Sequence, residues 1–255
     1  MNVLERKIRH AVDEGRTALI PFLTANFPDK SRFWPNLMEL DESGADIIEI
    51  GVPFSDPVAD GPVVEEASRR ALADGVTLRG IMKELLERKG FFKAGLVLMG
   101  YLNPFLQYGL EKLADDAAAA CVNGFIIPDV PFEEAAPLRD VFRRRGIALI
   151  PLVGLNTGEE RMRLYAAESE GYVYVVSVMG TTGERNTFAP QVADTLRRAR
   201  AVFSLPLALG FGLRESSQLE NFPRDARPDA VVFGSALLSH LDSGGSAAEF
   251  MRRWR

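Results

Sequence analysis

The sequence is poor in the residues that support metal and nucleophile chemistry. Among 255 residues there is one cysteine, Cys121, and there are two histidines, His10 and His240. A single cysteine forms no internal disulfide, and these three residues cannot complete a zinc or iron site of the His/Cys type. A Ser-His-Asp triad lacks its base, because neither His lies near a Gly-flanked Ser or near Cys121. Lysine is scarce too. Of six lysines only Lys93 adjoins a strand-like run, and it precedes that run, which argues against imine chemistry at a strand end. No apolar stretch approaches the ~18 residues that cross a bilayer. A net charge of −5 does not supply the basic surface of a nucleic-acid binder, and Arg143-Arg144-Arg145 reads as a solvated helix face. The expectation is a cytoplasmic protein without metal, membrane or nucleic-acid partner, whose chemistry rests on carboxylates, hydroxyls, tyrosines and backbone.

What is present is a repeat of strand and helix. Eight β-branched or apolar runs are bounded by turn residues: Ala18 to Leu23, Asp46 to Gly51, Gly95 to Met99, Gly124 to Ile127, Ala148 to Val153, Tyr172 to Ser177, Pro206 to Leu209 and Ala230 to Phe233. Helical periodicity fills the gaps, as in Arg32 to Glu42 and Leu78 to Arg88. Eight such alternations predict an α/β fold, a single (β/α)₈ TIM barrel spanning residues 1–255. The alternative, an open doubly wound sheet, would show G-x-G-x-x-G after the first strand, and none is there. Met1 to Glu14 carries Val3, Leu4, Ile8, Ala11 and Val12 at helical spacing, which predicts an amphipathic helix capping the closed end of the barrel. The longest gap, after the second strand, holds an extra helix over Pro62 to Asp74.

Sites in such barrels form where strands end. Period-2 alternation puts Ile47, Glu49 and Gly51 on one face of the second strand, so Glu49 points into the barrel mouth. A carboxyl flanked by isoleucines has its pKa raised, as a group that gives and takes protons near neutrality requires. A structural ion pair is the competing reading, but none of the eight runs contains an Arg. The next loop, Val52 to Pro62, is stiffened by three prolines and carries Asp56 and Asp60. Asp60 can hang over the mouth, while Glu49, Asp56 and Asp60 lack a clear spacing for a Mg²⁺ site. After the sixth, seventh and eighth strands stand Gly180-Thr181-Thr182-Gly183, Gly210-Phe211-Gly212 and Gly234-Ser235, a pattern that predicts a phosphate site.

These residues carry a resemblance. Gly44-Ala-Asp-Ile-Ile-Glu-Ile-Gly-Val-Pro-Phe-Ser-Asp-Pro-Val-Ala-Asp-Gly-Pro62 is close to the signature of the tryptophan synthase α subunit family. Met99-Gly-Tyr-Leu-Asn-Pro104, Gly124-Phe-Ile-Ile-Pro-Asp-Val-Pro131, Ser177-Val-Met-Gly-Thr-Thr-Gly183, Gly210-Phe-Gly212 and Gly234-Ser-Ala236 support it over nearly the whole chain. The resemblance implies retro-aldol cleavage of indole-3-glycerol phosphate to indole and glyceraldehyde 3-phosphate. It also implies an α2β2 complex with a β subunit that holds the pyridoxal phosphate, this chain holding no cofactor. By the same resemblance Glu49 is the general acid and base, and Asp60 binds the indole N–H. Phe22, Tyr101, Tyr174 and Phe211 line the indole pocket. Thr182 helps to close the site and orients Asp60, and Gly183, Gly212, Gly234 and Ser235 hold the phosphate. Pro53, Phe54, Asp56, Asn103, Pro104 and Phe105 lie near the β subunit, which would account for exposed Pro and Phe there. The chain departs from the family pattern at Thr24-Ala-Asn-Phe-Pro28, at Val153-Gly-Leu-Asn-Thr157, and between Asn221 and Pro228. Two other functions remain open at this point, a subunit that mainly activates its β partner and a different phosphosugar barrel such as an isomerase.

Overall fold

The computed structural model describes residues 1–177, 190–210 and 215–254. The chain begins with α1 (Val3–Asp13), whose first N–H groups are capped by the Asn2 side chain, an acceptor for the Leu4 N–H at 2.8 Å. Strands β1 (Ala18–Thr24) and β2 (Ile47–Gly51) flank α2 (Lys30–Glu42). After β2 come α3 (Pro62–Ala73), the expected extra helix with Pro at its start, and α4 (Leu78–Glu87). Then follow β3 (Gly95–Met99), α5 (Leu102–Tyr108), α6 (Leu110–Ala119), β4 (Val122–Ile126) and α7 (Ala136–Arg143). The fifth strand, β5, is in two pieces, Ala148–Leu149 and Leu152–Val153. Helix α8 (Glu159–Glu168), β6 (Val173–Val176), α9 (Pro190–Val202), β7 (Leu207–Gly210), β8 (Ala230–Phe233), α10 (Ser235–Asp242) and α11 (Ala247–Met251) complete the order.

All strand pairings are parallel, and the order round the sheet is first half of β5, β4, β3, β2, β1, β8, β7, β6, second half of β5. The sheet's two ends are therefore halves of one strand, and the chain itself closes the barrel. The reason for the break lies at Ile150-Pro151. Ile150 donates its N–H to Phe125 on the β4 side at 2.9 Å, whereas Pro151 has no N–H and offers its carbonyl to Tyr174 on the β6 side at 3.0 Å. One strand serves two neighbours by turning over at a proline.

The closed end is filled by α1. Leu4 and Ile8 are fully buried, and the Leu4 methyls sit where Gly95 and Gly124 leave room. A Cβ on Gly95 would come within 2.7 Å of Leu4 Cδ2, and one on Gly124 within 2.8 Å of Cδ1. Side chains also fasten strand starts at this end. Asp46 accepts the Leu19 N–H at 2.9 Å while pairing with both Arg16 terminal nitrogens, Asn123 accepts from Leu96 at 3.0 Å, and Asp229 accepts from Leu207 at 2.8 Å. Each bond satisfies a backbone donor at the rim of the sheet. The basic run at the end of α7 forms ion pairs with its neighbours: Arg144 and Arg145 with Glu111, Arg145 with Asp115, and Arg143 with Glu168 and Glu170.

Candidate active site

Glu49 stands opposite Phe22 of β1 and Val97 of β3 in the strand register and has no solvent exposure. Its Oε1 accepts a 2.7 Å hydrogen bond from the Tyr172 hydroxyl. Tyr172 lies just before β6, four places from β2 in the sheet order, so this bond spans the barrel interior. Glu49 thus points inward, and its partner is a phenol and not an arginine. Oε2 has no hydrogen-bond partner among the described residues. Burial pushes the carboxyl up to about 8, against the smaller opposing effect of the Tyr172 bond, which favours the charged form.

Asp60 is half-buried at the end of the loop after β2. Burial raises its pKa to about 6, with the Tyr101 hydroxyl lowering it and the nearby Glu65 raising it. Tyr101, at the start of α5, also accepts the Ala59 N–H at 3.0 Å and stacks on Phe54 with ring centroids 5.1 Å apart. Two carboxyls that both act on Tyr174 are thus displaced to different degrees.

Glycines shape the walls. The Phe22 ring covers Gly51 and Gly234, where a Cβ would lie 2.5 Å and 2.9 Å from ring carbons, and Tyr174 covers Gly210, where a Cβ would lie 2.1 Å from its hydroxyl oxygen. Side chains at these positions would displace the aromatic rings into the mouth. Gly234 precedes α10, which has no side-chain cap at its N-terminus, and Ser235 is exposed as its first residue. Of the expected site residues, Thr182, Gly183, Phe211 and Gly212 lie outside the described residues. Among the described residues no cluster of three or more His, Cys, Asp or Glu side chains could hold a metal ion.

The family model for the tryptophan synthase alpha chain matches residues 8–253. The chain belongs to that family. It is 74% identical over the full length of both chains to the tryptophan synthase alpha chain of Desulfovibrio desulfuricans. It is 64% identical to that of Nitratidesulfovibrio vulgaris (Hildenborough), covering 98% of this chain and 97% of the relative. A solved tryptophan synthase structure from Mycobacterium tuberculosis superimposes with a TM-score of 0.87 at 32% identity, covering 99% of this chain and 98% of the other. The alpha chain from Legionella pneumophila subsp. pneumophila gives 0.84 at 29% identity, covering 100% and 94%. The barrel expected from the strand count is the fold of the tryptophan synthase alpha chain family.

Against that family background, exposure corrects one part of the sequence reading. Pro53 is buried and Phe105 is fully buried, edge-on to Phe125 at 5.4 Å and filling the space above Gly100, so neither is the exposed residue expected from the loop sequence. Phe54 is half-buried against Tyr101, Pro104 is half-buried, and Asp56 and Asn103 face outward. The exposed large apolar side chains here are Val58 in the loop after β2, 86% exposed, and Leu106 in α5, 51%.

Tyr172 was not singled out in the sequence, although a signal for it exists. Tyr174 points to the interior, and period-2 alternation carries Tyr172 to the same face. Tyr172→Phe removes the one bond that, among the described residues, stabilises the Glu49 carboxylate, so the carboxyl's pKa rises further. If protonated Glu49 is the active form, the alkaline limb of kcat/KM shifts to higher pH in this variant. A limb that stays in place would show that Tyr172 does not act on Glu49.

Proposed function

We propose that this chain cleaves indole-3-glycerol phosphate to indole and glyceraldehyde 3-phosphate, with Glu49 and Asp60 as the catalytic residues. The reading rests on membership of the tryptophan synthase alpha chain family and on two carboxyls that both act on Tyr174, Glu49 raised to about 8 and Asp60 to about 6. Near neutrality Glu49 is mainly protonated and Asp60 mainly ionised. Asp60 holds the indole N–H and offsets the positive charge that develops on the ring. Glu49 gives its proton to the ring carbon that bears the glycerol side chain. The carboxylate left behind takes the proton of the adjacent side-chain hydroxyl. Its O–H electrons become the C=O bond of glyceraldehyde 3-phosphate, the carbon–carbon bond breaks, and its electrons restore the indole ring. Glu49 ends the cycle protonated, as it began. Oε2, the oxygen without a described partner, is the atom that carries the proton.

Phe22, Tyr101 and Tyr174 wall the indole site, joined by Phe211. The uncapped α10 N-terminus at Gly234 and Ser235 receives the phosphate, with Thr182, Gly183 and Gly212 completing the enclosure. No cofactor is assigned to this chain, and the pyridoxal phosphate belongs to a β subunit. An α2β2 complex uses the outward side chains of Asp56, Val58, Asn103 and Leu106, with Phe54 and Pro104 at their edge and Pro53 and Phe105 as support from below. Among the described residues no helix is long and apolar enough to cross a membrane, and we place the complex in the cytoplasm.

The test is turnover of indole-3-glycerol phosphate by the chain alone and with the β subunit. Indole release in either condition, with a bell-shaped kcat/KM between limbs near pH 6 and 8, is expected. No cleavage in both conditions, with β-subunit activity still raised, would replace the lyase by an activating subunit.

A further inference from the structure

We propose that Tyr101 is the positioning residue for Asp60, fastening the loop after β2 and aiming its carboxylate. This rests on the reading of Asp60 given above. Three contacts meet on one side chain that is almost fully buried at 3% exposure. The Tyr101 hydroxyl accepts the Ala59 N–H at 3.0 Å and lies close enough to the Asp60 carboxyl of the next residue to favour its charged form. Its ring stacks on Phe54 near the start of the same loop. A hydroxyl has one proton and two lone pairs, so it can accept from Ala59 and donate to Asp60 together. The loop is thereby held at two places, Phe54 near its start and Ala59 directly before Asp60.

Tyr101 is itself fixed by the neighbouring strand end. The Asp129 carboxylate, in the loop after β4, accepts the Leu102 N–H at 3.0 Å and 3.2 Å through its two oxygens, which pins the residue directly after Tyr101. The titratable groups facing Asp60 among the described residues are Tyr101, Glu65 and Tyr174, and those facing Tyr101 are Asp60 and Asp129. Among the described residues Tyr101 is the one of these whose hydroxyl also bonds the loop backbone. Its role therefore differs from that of a pocket wall. A wall residue contributes contact area to the substrate, whereas Tyr101 sets where the carboxylate stands before substrate arrives.

The experiment uses the full chain and its Tyr101→Phe variant, which keeps the ring stacked on Phe54 and removes the hydroxyl alone. Carbon-13 NMR follows the Asp60 carboxyl through a pH titration, and amide exchange follows Ala59. The expected results are an Asp60 midpoint that moves upward, because the hydroxyl that favours the charged form is gone, and Ala59 exchange faster by several-fold up to about tenfold. The acid limb of kcat/KM shifts upward with the midpoint. An Asp60 titration and an Ala59 exchange rate that both match the parent would overturn the proposal. So would a kcat/KM lowered equally at every pH with the Asp60 midpoint in place, since that is the behaviour of a wall. The two NMR measurements need no turnover, so failure of the parent chain to cleave indole-3-glycerol phosphate would sink the lyase reading without being mistaken for failure of Tyr101. A thermal melt confirms that the variant is folded, and Asp129→Ala supplies a second arm. Release of the Leu102 N–H should loosen Tyr101 and speed Ala59 exchange in the same direction, whereas no change at Ala59 in both variants would again overturn the proposal.

Discussion

Glu49→Gln is expected to lower kcat for indole release by about 10³-fold or more while leaving the barrel folded. Glutamine matches the size of glutamate and can still accept the Tyr172 hydrogen bond on its carbonyl oxygen, so the interior is not opened. What it cannot do is give a proton to the ring carbon and take another from the hydroxyl. The same substitution should stabilise the fold at high pH. A carboxyl whose pKa rises from 4.5 to about 8 on folding binds more protons in the native state than in the unfolded chain. Its contribution is favourable below the unfolded value and is lost as pH climbs from about 4.5 through about 8. At pH 8 the wild type therefore carries a burden of roughly 4 kcal/mol that the glutamine variant lacks, and the gap closes toward pH 5. Urea unfolding at the two pH values reads this directly. A variant that turns over near the wild-type rate would remove Glu49 from the mechanism, and one with no pH-dependent stability gain would show that the carboxyl is not held in a dry site.

Leu4→Ala is expected to cost about 3 kcal/mol of stability, within the 2–5 kcal/mol typical of emptying a buried leucine site. Leu4 is the tip of the plug that α1 inserts into the closed end, and its methyls occupy the space left by Gly95 and Gly124. Gly95→Ala should cost about 1–3 kcal/mol by itself, because its new methyl would lie 2.7 Å from Leu4 Cδ2. In the Leu4→Ala background that atom is gone, and the added methyl should be tolerated or should recover part of the loss. A double-mutant cycle measured by chemical denaturation gives the coupling, and strictly additive costs would show that the two positions do not meet. Activity per folded molecule should change little, since this contact lies at the opposite end of the barrel from Asp60.

Much of the architecture was legible from residue pattern. Eight apolar runs at regular spacing correspond to eight strand positions, and the extra helix expected over Pro62 to Asp74 is present as Pro62–Ala73. The amphipathic N-terminus predicted a cap, and Leu4, Ile8 and Ala11 form its buried face. Three features escaped. The fifth strand reads as one continuous run, yet it divides because Pro151 cannot donate to the sheet and Ile150 already serves β4. Phe105 reads as a residue of an exposed loop, yet α5 turns it under the loop onto Phe125. Tyr101 reads as an aromatic of the pocket wall, yet its hydroxyl reaches the backbone of Ala59, 42 positions earlier.

The sequence by itself determined that this chain is a β/α barrel, that Glu49 lies at its mouth, and that the 44–62 segment belongs to one enzyme family. Those properties follow from local periodicity, from the rule that strand ends carry the site, and from a contiguous motif. Only the tertiary structure decided which groups set the chemistry of the two carboxyls. Tyr172 meets Glu49 across 123 positions of sequence and across the interior of the barrel. The register of eight strands and the closure of the ring create that meeting, and neither is encoded in the neighbourhood of either residue. A buried carboxyl takes its proton affinity from what surrounds it in space.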